Sequence, residues 1–262
     1  MINILKKIAI EAGEIVKKGY NSEKDIYYKG IVDLVTDYDM KCEEFIILSL
    51  KDKKNRFTDY ELVGEESFKL NFDFSQSKVI YIDPIDGTTN FVHGIPHFAI
   101  SIGVWEYGNP VMAVIYNPIL NEMFWAVSGE GAYCNTKRLK VSEETTLQQS
   151  LLGTGFPYAK VNRGMEYKWV IESITNLLPN IRDIRRLGSA SLDLCYLAEG
   201  KTDAFYEIDL KPWDIAGGIL IVLEAGGRVT NLSNEKFNFS DKVIVASNSK
   251  IHRELLLYLY KI

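Results

Sequence analysis

The sequence predicts a mixed α+β / α/β chain of two lobes packed as one unit, and three observations carry that prediction. The first half sets two amphipathic helical stretches ahead of an alternating, antiparallel meander. The second half alternates helix and strand signals, the wiring of an α/β lobe. No Pro-, Gly- or Ser-rich linker parts the halves, and no internal repeat is present. The division falls between residues 1–142 and 143–262, with a seam near Val141 to Ser150. At 262 residues and 47% hydrophobic, the chain is long enough to bury a large core.

In the first twenty residues, Ile4, Leu5, Ile8, Ala12, Ile15 and Val16 share one helical face, with lysines and glutamates opposite. A short strand or turn at Val32 to Val35 then feeds a second helix. Thr36, Asp37 and Asp39 stand at its start, where carboxylates cap backbone N–H groups. "ELVGEES" is a short apolar piece closing on Gly64, Glu65 and Glu66. "KVIYI" is a hydrophobic strand that runs straight into "DPIDGTTNF", residues 83–91. The stretches "FAISIGVW", "VMAVIYNP" and "MFWAVSGEGAYCN" form the meander. Beyond the seam come "SLLGTGF", a helix near Met165 to Leu178, "IRDIRRL", a helix after Gly188, "DAFYEI" and a helix from Trp213. "GRVTNL", "KVIVAS" and a last helix to Tyr260 close the chain.

Composition excludes several classes. A net charge of −5 lacks the electrostatic footprint of a nucleic-acid binder, so no nucleic-acid partner is expected. The basic groups Lys137, Arg138, Lys140 and Arg182, Arg185, Arg186 read as solvated faces. Cys42, Cys134 and Cys195 are scattered and in no CxxC pattern, which predicts reduced thiols and a cytoplasmic protein. "MINILKKIAIEAGEIVKKGY" is too interrupted by charge for a signal peptide or a membrane span. Three scattered histidines make no zinc site.

Four acidic spots stand where a predicted strand or loop meets a turn or helix: Glu65 with Glu66, Asp83, Asp86, and Asp214 in "KPWDIAGG". Each alone reads as a turn residue, a cap or a solvated side chain. One carboxylate from each spot makes a cluster of four with a charge of about −4, which cannot converge without cations. Magnesium, two or three ions per site, suits oxygen ligands with a phosphate completing the shell. Gly87, Thr88 and Thr89 open a helix, so their N–H groups offer a phosphate site, and Gly87 lets the backbone come close.

The segments "GEES", "YIDPIDGTTNFVHGIPHFAISIG" and "WDIAGGILIVLEAGG" resemble, in order, the signatures of the inositol monophosphatase family. "VDLVTDYD", "GEGAYCN" and "RRLGSASLDLCYLAEGKTDAFYE" extend the resemblance over almost the whole chain. The resemblance implies a layered αβαβα sandwich, a magnesium-dependent and lithium-sensitive phosphatase, and a homodimer. It implies a first metal on Glu65, Asp83 and the Ile85 carbonyl, and a second on Asp83, Asp86 and Asp214. Thr88, hydrogen-bonded to Asp39, would help deprotonate the attacking water; a hydroxyl needs such a carboxylate behind it to serve as a base. The Gly87 and Thr88 N–H groups would hold phosphate, and Gly188, Ser189, Ala190 and Glu207 match polyol contacts. Lys29 matches a lysine on a loop over the site.

The expected activity is hydrolysis of a small phosphomonoester, inositol monophosphate or a related polyol or sugar phosphate. Histidinol phosphate, fructose 1,6-bisphosphate and a nucleotide 3′-phosphate are alternative substrates. A non-catalytic regulatory protein of the same fold predicts damaged ligands, and a two-metal nuclease does not fit the acidic charge balance. Glu207 is expected near the pocket but off the metals, its alternative being an ion pair with Lys211 on the surface. Asp209 reads as solvated.

Overall fold

The structure, a computed structural model, describes residues 1–67 and 77–261. Helix α1 (Ile2–Tyr20) buries Leu5, Ile8, Ala12 and Val16 on one stripe. A two-stranded ribbon follows, β1 (Ile26–Tyr28) against β2 (Leu34–Thr36). The ribbon starts earlier and ends one residue later than the alternation around Val32 to Val35 indicates. Thr36 then caps α2 (Asp37–Lys51), with Asp39 returning a bond to the Thr36 N–H in a capping box.

A seven-stranded sheet holds β3 (Glu61–Gly64), β4 (Lys78–Asp86), β5 (Ala99–Glu106), β6 (Asn109–Asn117), β7 (Glu122–Val127), β8 (Gly131–Cys134) and β9 (Lys137–Arg138). These stand side by side in chain order, antiparallel except for the parallel β3–β4 pair. The short helix α3 (Thr88–Val92) leaves the end of β4. A five-stranded sheet follows, in the order β11-β10-β12-β14-β13. Its strands are β10 (Leu151–Thr154), β11 (Asp183–Arg185), β12 (Ala204–Ile208), β13 (Arg228–Thr230) and β14 (Val243–Ser247). Helices α4 (Met165–Leu177), α5 (Ala190–Ala198), α6 (Pro212–Glu224) and α7 (His252–Tyr258) complete the chain.

Strand alternation sorts these elements into layers. On β4, Ile80 and Ile82 pack with α1 and α2, whereas Val79 and Tyr81 pack with α5 and α6. On β12, Phe205 joins the α5 and α6 layer, whereas Ala204, Tyr206 and Ile208 join Trp169 of α4 and Leu255 of α7. The order is therefore helix, sheet, helix, sheet, helix, the layered αβαβα sandwich. Helix α6 buries every residue from Ile215 to Val222, as a helix between two sheets must. Among the described residues no helix is long and apolar enough to cross a membrane.

Candidate active site

Asp83 and Asp86 lie three residues apart, a spacing that would put them on opposite faces of a regular strand. A bulge corrects this. Asp83 pairs with Ser101 and Asp86 with Ala99, so two residues of β4 lie opposite the single residue Ile100. Pro84, without an N–H, sits inside the bulge, where a ladder bond is already lost. Both acids are buried and both line one cleft of about 720 Å³. Glu65 joins them because β3 runs parallel to β4: its N–H bonds the Ile82 carbonyl at 3.1 Å, one residue before Asp83. Asp214 arrives from the first turn of α6, where it accepts from the Lys211 N–H at 2.7 Å.

The turn that follows is fixed by Gly87. Its φ is +98°, and a Cβ there would meet the Gly188 carbonyl at 3.0 Å and the His97 carbonyl at 3.1 Å. Gly87 thereby becomes the N-cap of α3, with Thr88 its first residue. The Thr88 hydroxyl donates toward Asp39 Oδ1 at 3.1 Å and the Ile85 carbonyl at 3.0 Å. Asp39 lies behind Thr88, fully buried, and accepts from the Thr36 N–H at 2.8 Å and from the Thr36 hydroxyl.

The electrostatics are those of crowded, buried acids. Burial first, then Glu65, Asp86 and Asp214, push the Asp83 carboxyl well above the usual range. Burial, Glu65 and Asp86 do the same to Asp214. Asp86 is pushed up by burial against the opposing bonds from Ser189 and Ser191. Burial, against the Thr36 bonds, holds Asp39 at about 6, and burial with Glu65 holds Glu66 at about 7. Burial works against the ammonium of Lys29, but Glu65 and Glu66 outweigh it and raise its pKa. Its Nζ donates to Glu65 at 2.9 Å and Glu66 at 2.7 Å.

The donor chemistry suits a hard divalent cation: four carboxylates and the Ile85 carbonyl, all oxygen, around one cleft. Among the described residues no three such side chains are drawn into a ready chelate. Each acid holds a protein donor instead: Asp83 the Ile85 N–H, Asp86 the Ser191 N–H, Asp214 the Lys211 N–H, and Glu65 the Lys29 ammonium. The fit to a cation is thus one of donor type and burial, since bare like charges keep apart.

Gly188, Ser189, Ala190 and Glu207 line the same cleft. The Ser189 hydroxyl donates to Asp86 Oδ2, so part of its capacity is spent inside the protein. Glu207 is buried, follows Phe205 toward the central helices, and lies against Gly155, where a Cβ would sit 2.0 Å from its carboxyl. The surface pair with Lys211 does not form: Lys211 bonds Asp209 at 2.8 Å, because Asp209 turns outward at a φ of +66°. Burial pushes Glu207 up to about 8, with Asp193 adding to the effect. Asp193, Asp33, Tyr158, Lys160 and Arg186 also line the cleft and escape the sequence reading. Asp193 sits inside an apolar helix, where a lone acid is the available signal. Arg186 of the basic run is exposed, as a solvated face requires, and it also borders the cleft.

A family model described as the inositol monophosphatase family matches residues 1–261. The chain belongs to the inositol monophosphatase family. It is 39% identical to inositol monophosphatase 3 of Solanum lycopersicum, over 95% of this chain and 92% of that protein. It is 40% identical to Nus factor SuhB of Pasteurella multocida, over 98% of this chain and 94% of that one. The crystal structure of extragenic suppressor protein suhB from Bartonella henselae superposes with a TM-score of 0.89 at 38% identity, covering 99% and 98% of the two chains. The chain is accordingly a phosphoric monoester hydrolase of the inositol monophosphatase type. The family is generally metal-dependent.

Proposed function

We propose that the protein is a magnesium-dependent phosphatase of a small polyol or sugar phosphate, with inositol monophosphate the first candidate. The observation that supports this most is the convergence of acids from β3, β4 and α6 with the Gly87–Thr88 helix start on one cleft. Glu65, Asp83 and the Ile85 carbonyl would hold one magnesium, and Asp83, Asp86 and Asp214 a second, with room in the reading for a third. Magnesium there supplies positive charge to the carboxylates, the phosphoryl oxygens and the leaving oxygen.

The protein's own groups do the rest. The Gly87 and Thr88 N–H groups at the start of α3 bind the phosphate. Thr88 takes a proton from the attacking water as it passes its own to Asp39, which must be ionised to receive it. Gly188, Ser189, Ala190 and Glu207 orient the polyol, and Lys29 covers the acids from the β1–β2 ribbon. The proposal extends to lithium inhibition, to a homodimer, which light scattering checks, and to a cytoplasmic location, which the three free cysteines support and fractionation checks.

A panel of phosphomonoesters, assayed for phosphate release with magnesium and with EDTA, tests the reading. Release from inositol 1-phosphate that EDTA abolishes and lithium suppresses supports it; release untouched by EDTA overturns the metal assignment. The name of the Pasteurella relative favours a second reading, a regulatory interaction protein. On that reading Asp86→Asn would leave its biological output intact, while on the catalytic one it would not.

A further inference from the structure

Helix α2 passes behind the acids, and one of its faces meets them. Asp39, Cys42 and Glu43 share that buried face, three and four residues apart. Asp39 reaches Thr88, and the Cys42 thiol donates to the Pro84 carbonyl inside the β4 bulge at 3.5 Å. Glu43 turns instead to the end of β3. It is buried and is not among the residues that line the cleft. A buried carboxyl is costly unless it is hydrogen-bonded, so its partners matter. Glu43 Oε2 accepts from the Glu66 N–H at 2.8 Å, and the Ser67 N–H and hydroxyl bond the same carboxyl. All three donors belong to the turn over residues 65–67, directly after β3.

Gly64 makes room for this contact. A Cβ there would lie 2.4 Å from both Cδ and Oε2 of Glu43. Gly64 is the last residue of β3, in extended backbone that any residue adopts, so a side chain is excluded by the acid and not by the backbone. Glu65 thereby sits between two fixed peptide groups. Its own N–H bonds the Ile82 carbonyl at 3.1 Å, and the next N–H, of Glu66, bonds Glu43. The first bond belongs to the sheet; the second comes from α2, the helix that carries Asp39.

We propose that Glu43 is a positioning residue: from behind the cleft it fixes the turn that carries Glu65, and so sets how tightly the acids take up magnesium. This rests on the magnesium reading of the cleft and adds to it a residue that touches neither metal nor substrate. Without Glu43 the Glu66 and Ser67 N–H groups lose their acceptor, and the Glu65 carboxyl moves with a loosened turn. Losing an outer partner of this kind typically costs about 10–100-fold in metal affinity.

The test follows magnesium binding without turnover, as the rise in Tm with magnesium concentration at fixed pH after EDTA treatment. Half-saturating magnesium should rise about 10–100-fold in Glu43→Ala, and less in Glu43→Gln, which keeps the length and one accepting oxygen. Gly64→Ala should mimic Glu43→Ala, because its methyl displaces the carboxyl while the acid stays in the chain. In the double variant the methyl has the space that the acid leaves. Its half-saturating magnesium should therefore lie within about twofold of that of Glu43→Ala, not at the product of the two losses. Phosphate release from inositol 1-phosphate should need correspondingly more magnesium, with kcat at saturation within about threefold of the unaltered protein. If Glu43→Ala does not fold, Gly64→Ala and Glu43→Gln carry the same comparison. A lower Tm in EDTA with half-saturating magnesium unchanged in these variants would make Glu43 a brace of the fold alone and overturn the proposal. A double variant at the product of the single losses would overturn it too. An unaltered protein whose Tm ignores magnesium would remove the magnesium reading itself, a separate failure that takes this role of Glu43 with it.

Discussion

Asp86 Oδ2 accepts from the Ser189 hydroxyl, the Ser191 hydroxyl and the Ser191 N–H, so one oxygen ties β4 to the start of α5. The other oxygen is left for the cleft. Asp86→Asn keeps the shape and removes the charge. Losing an outer-sphere partner of a metal typically costs about 10–100-fold, and losing a ligand should cost more than about 100-fold in kcat at saturating magnesium. Circular dichroism should show the fold retained; near-normal turnover would remove Asp86 from the metal set. Thr88 and Asp39 make a sharper case, because their contact is direct at 3.1 Å. Thr88→Ala and Asp39→Asn should each slow turnover by on the order of 10²–10⁴-fold while leaving the magnesium requirement nearly unchanged. The double variant should be little worse than the poorer single one, since the two act as a unit. A loss equal to the product of the single losses would show that they act independently.

At the scale of elements, the cleft depends on how closely α6 rides on β5. A Cβ at Gly103 would meet the Gly217 nitrogen at 2.7 Å and the Ala216 carbonyl carbon at 2.8 Å. Trp105 Nε1 bonds the Ala216 carbonyl at 3.1 Å just beyond this contact, so the helix has no room to slide. Gly103→Ala should therefore cost about 1–3 kcal/mol in urea unfolding and shift Asp214 enough to depress kcat. An unaltered urea midpoint would show that α6 can move away freely. The elements themselves were legible: strand and helix periods at "FAISIGVW", "DAFYEI" and the α6 run place them within a few residues. The closeness of α6 to β5 was not, because a glycine in a strand signals a bulge as readily as a helix lying on it. The β4 bulge was not legible, since Asp-Pro reads as a turn; only pairing with β5 reveals that both acids turn one way. Arg186 and Lys160 stayed hidden for a related reason: the segments holding them meet only in the tertiary fold, where each cation lies over a ring.

At the scale of the whole molecule, the crowded acids make stability depend on pH and on metal together. Asp39 at about 6, Glu66 at about 7 and Glu207 at about 8 all stand above their unfolded values near 4, and Asp83, Asp193 and Asp214 are raised further. A raised carboxyl means that the folded state holds more protons than the unfolded one through the window, from about pH 4 to about pH 8. Stability without metal therefore falls as pH rises. His97 and His252 act oppositely, since burial holds both at about 4, but only below about 6.5, where the unfolded chain would charge them. Carboxylates lowered by surface partners, such as Glu143 at about 2, titrate below the window. The comparison belongs between pH 6.5 and 8.5, where the histidines are neutral in the folded state and at most half charged in the unfolded one, too little to offset the acids. In EDTA, Tm should be lower at pH 8.5 than at pH 6.5. Magnesium binds the ionised acids and not their protonated forms, so its stabilisation should be larger at pH 8.5 and should close most of that gap. Asp214→Asn should shrink both effects, because it removes one of the repelling charges and one of the donors. An EDTA-treated protein with higher Tm at pH 8.5, or a magnesium shift independent of pH, would show that these acids are not the groups that magnesium neutralises.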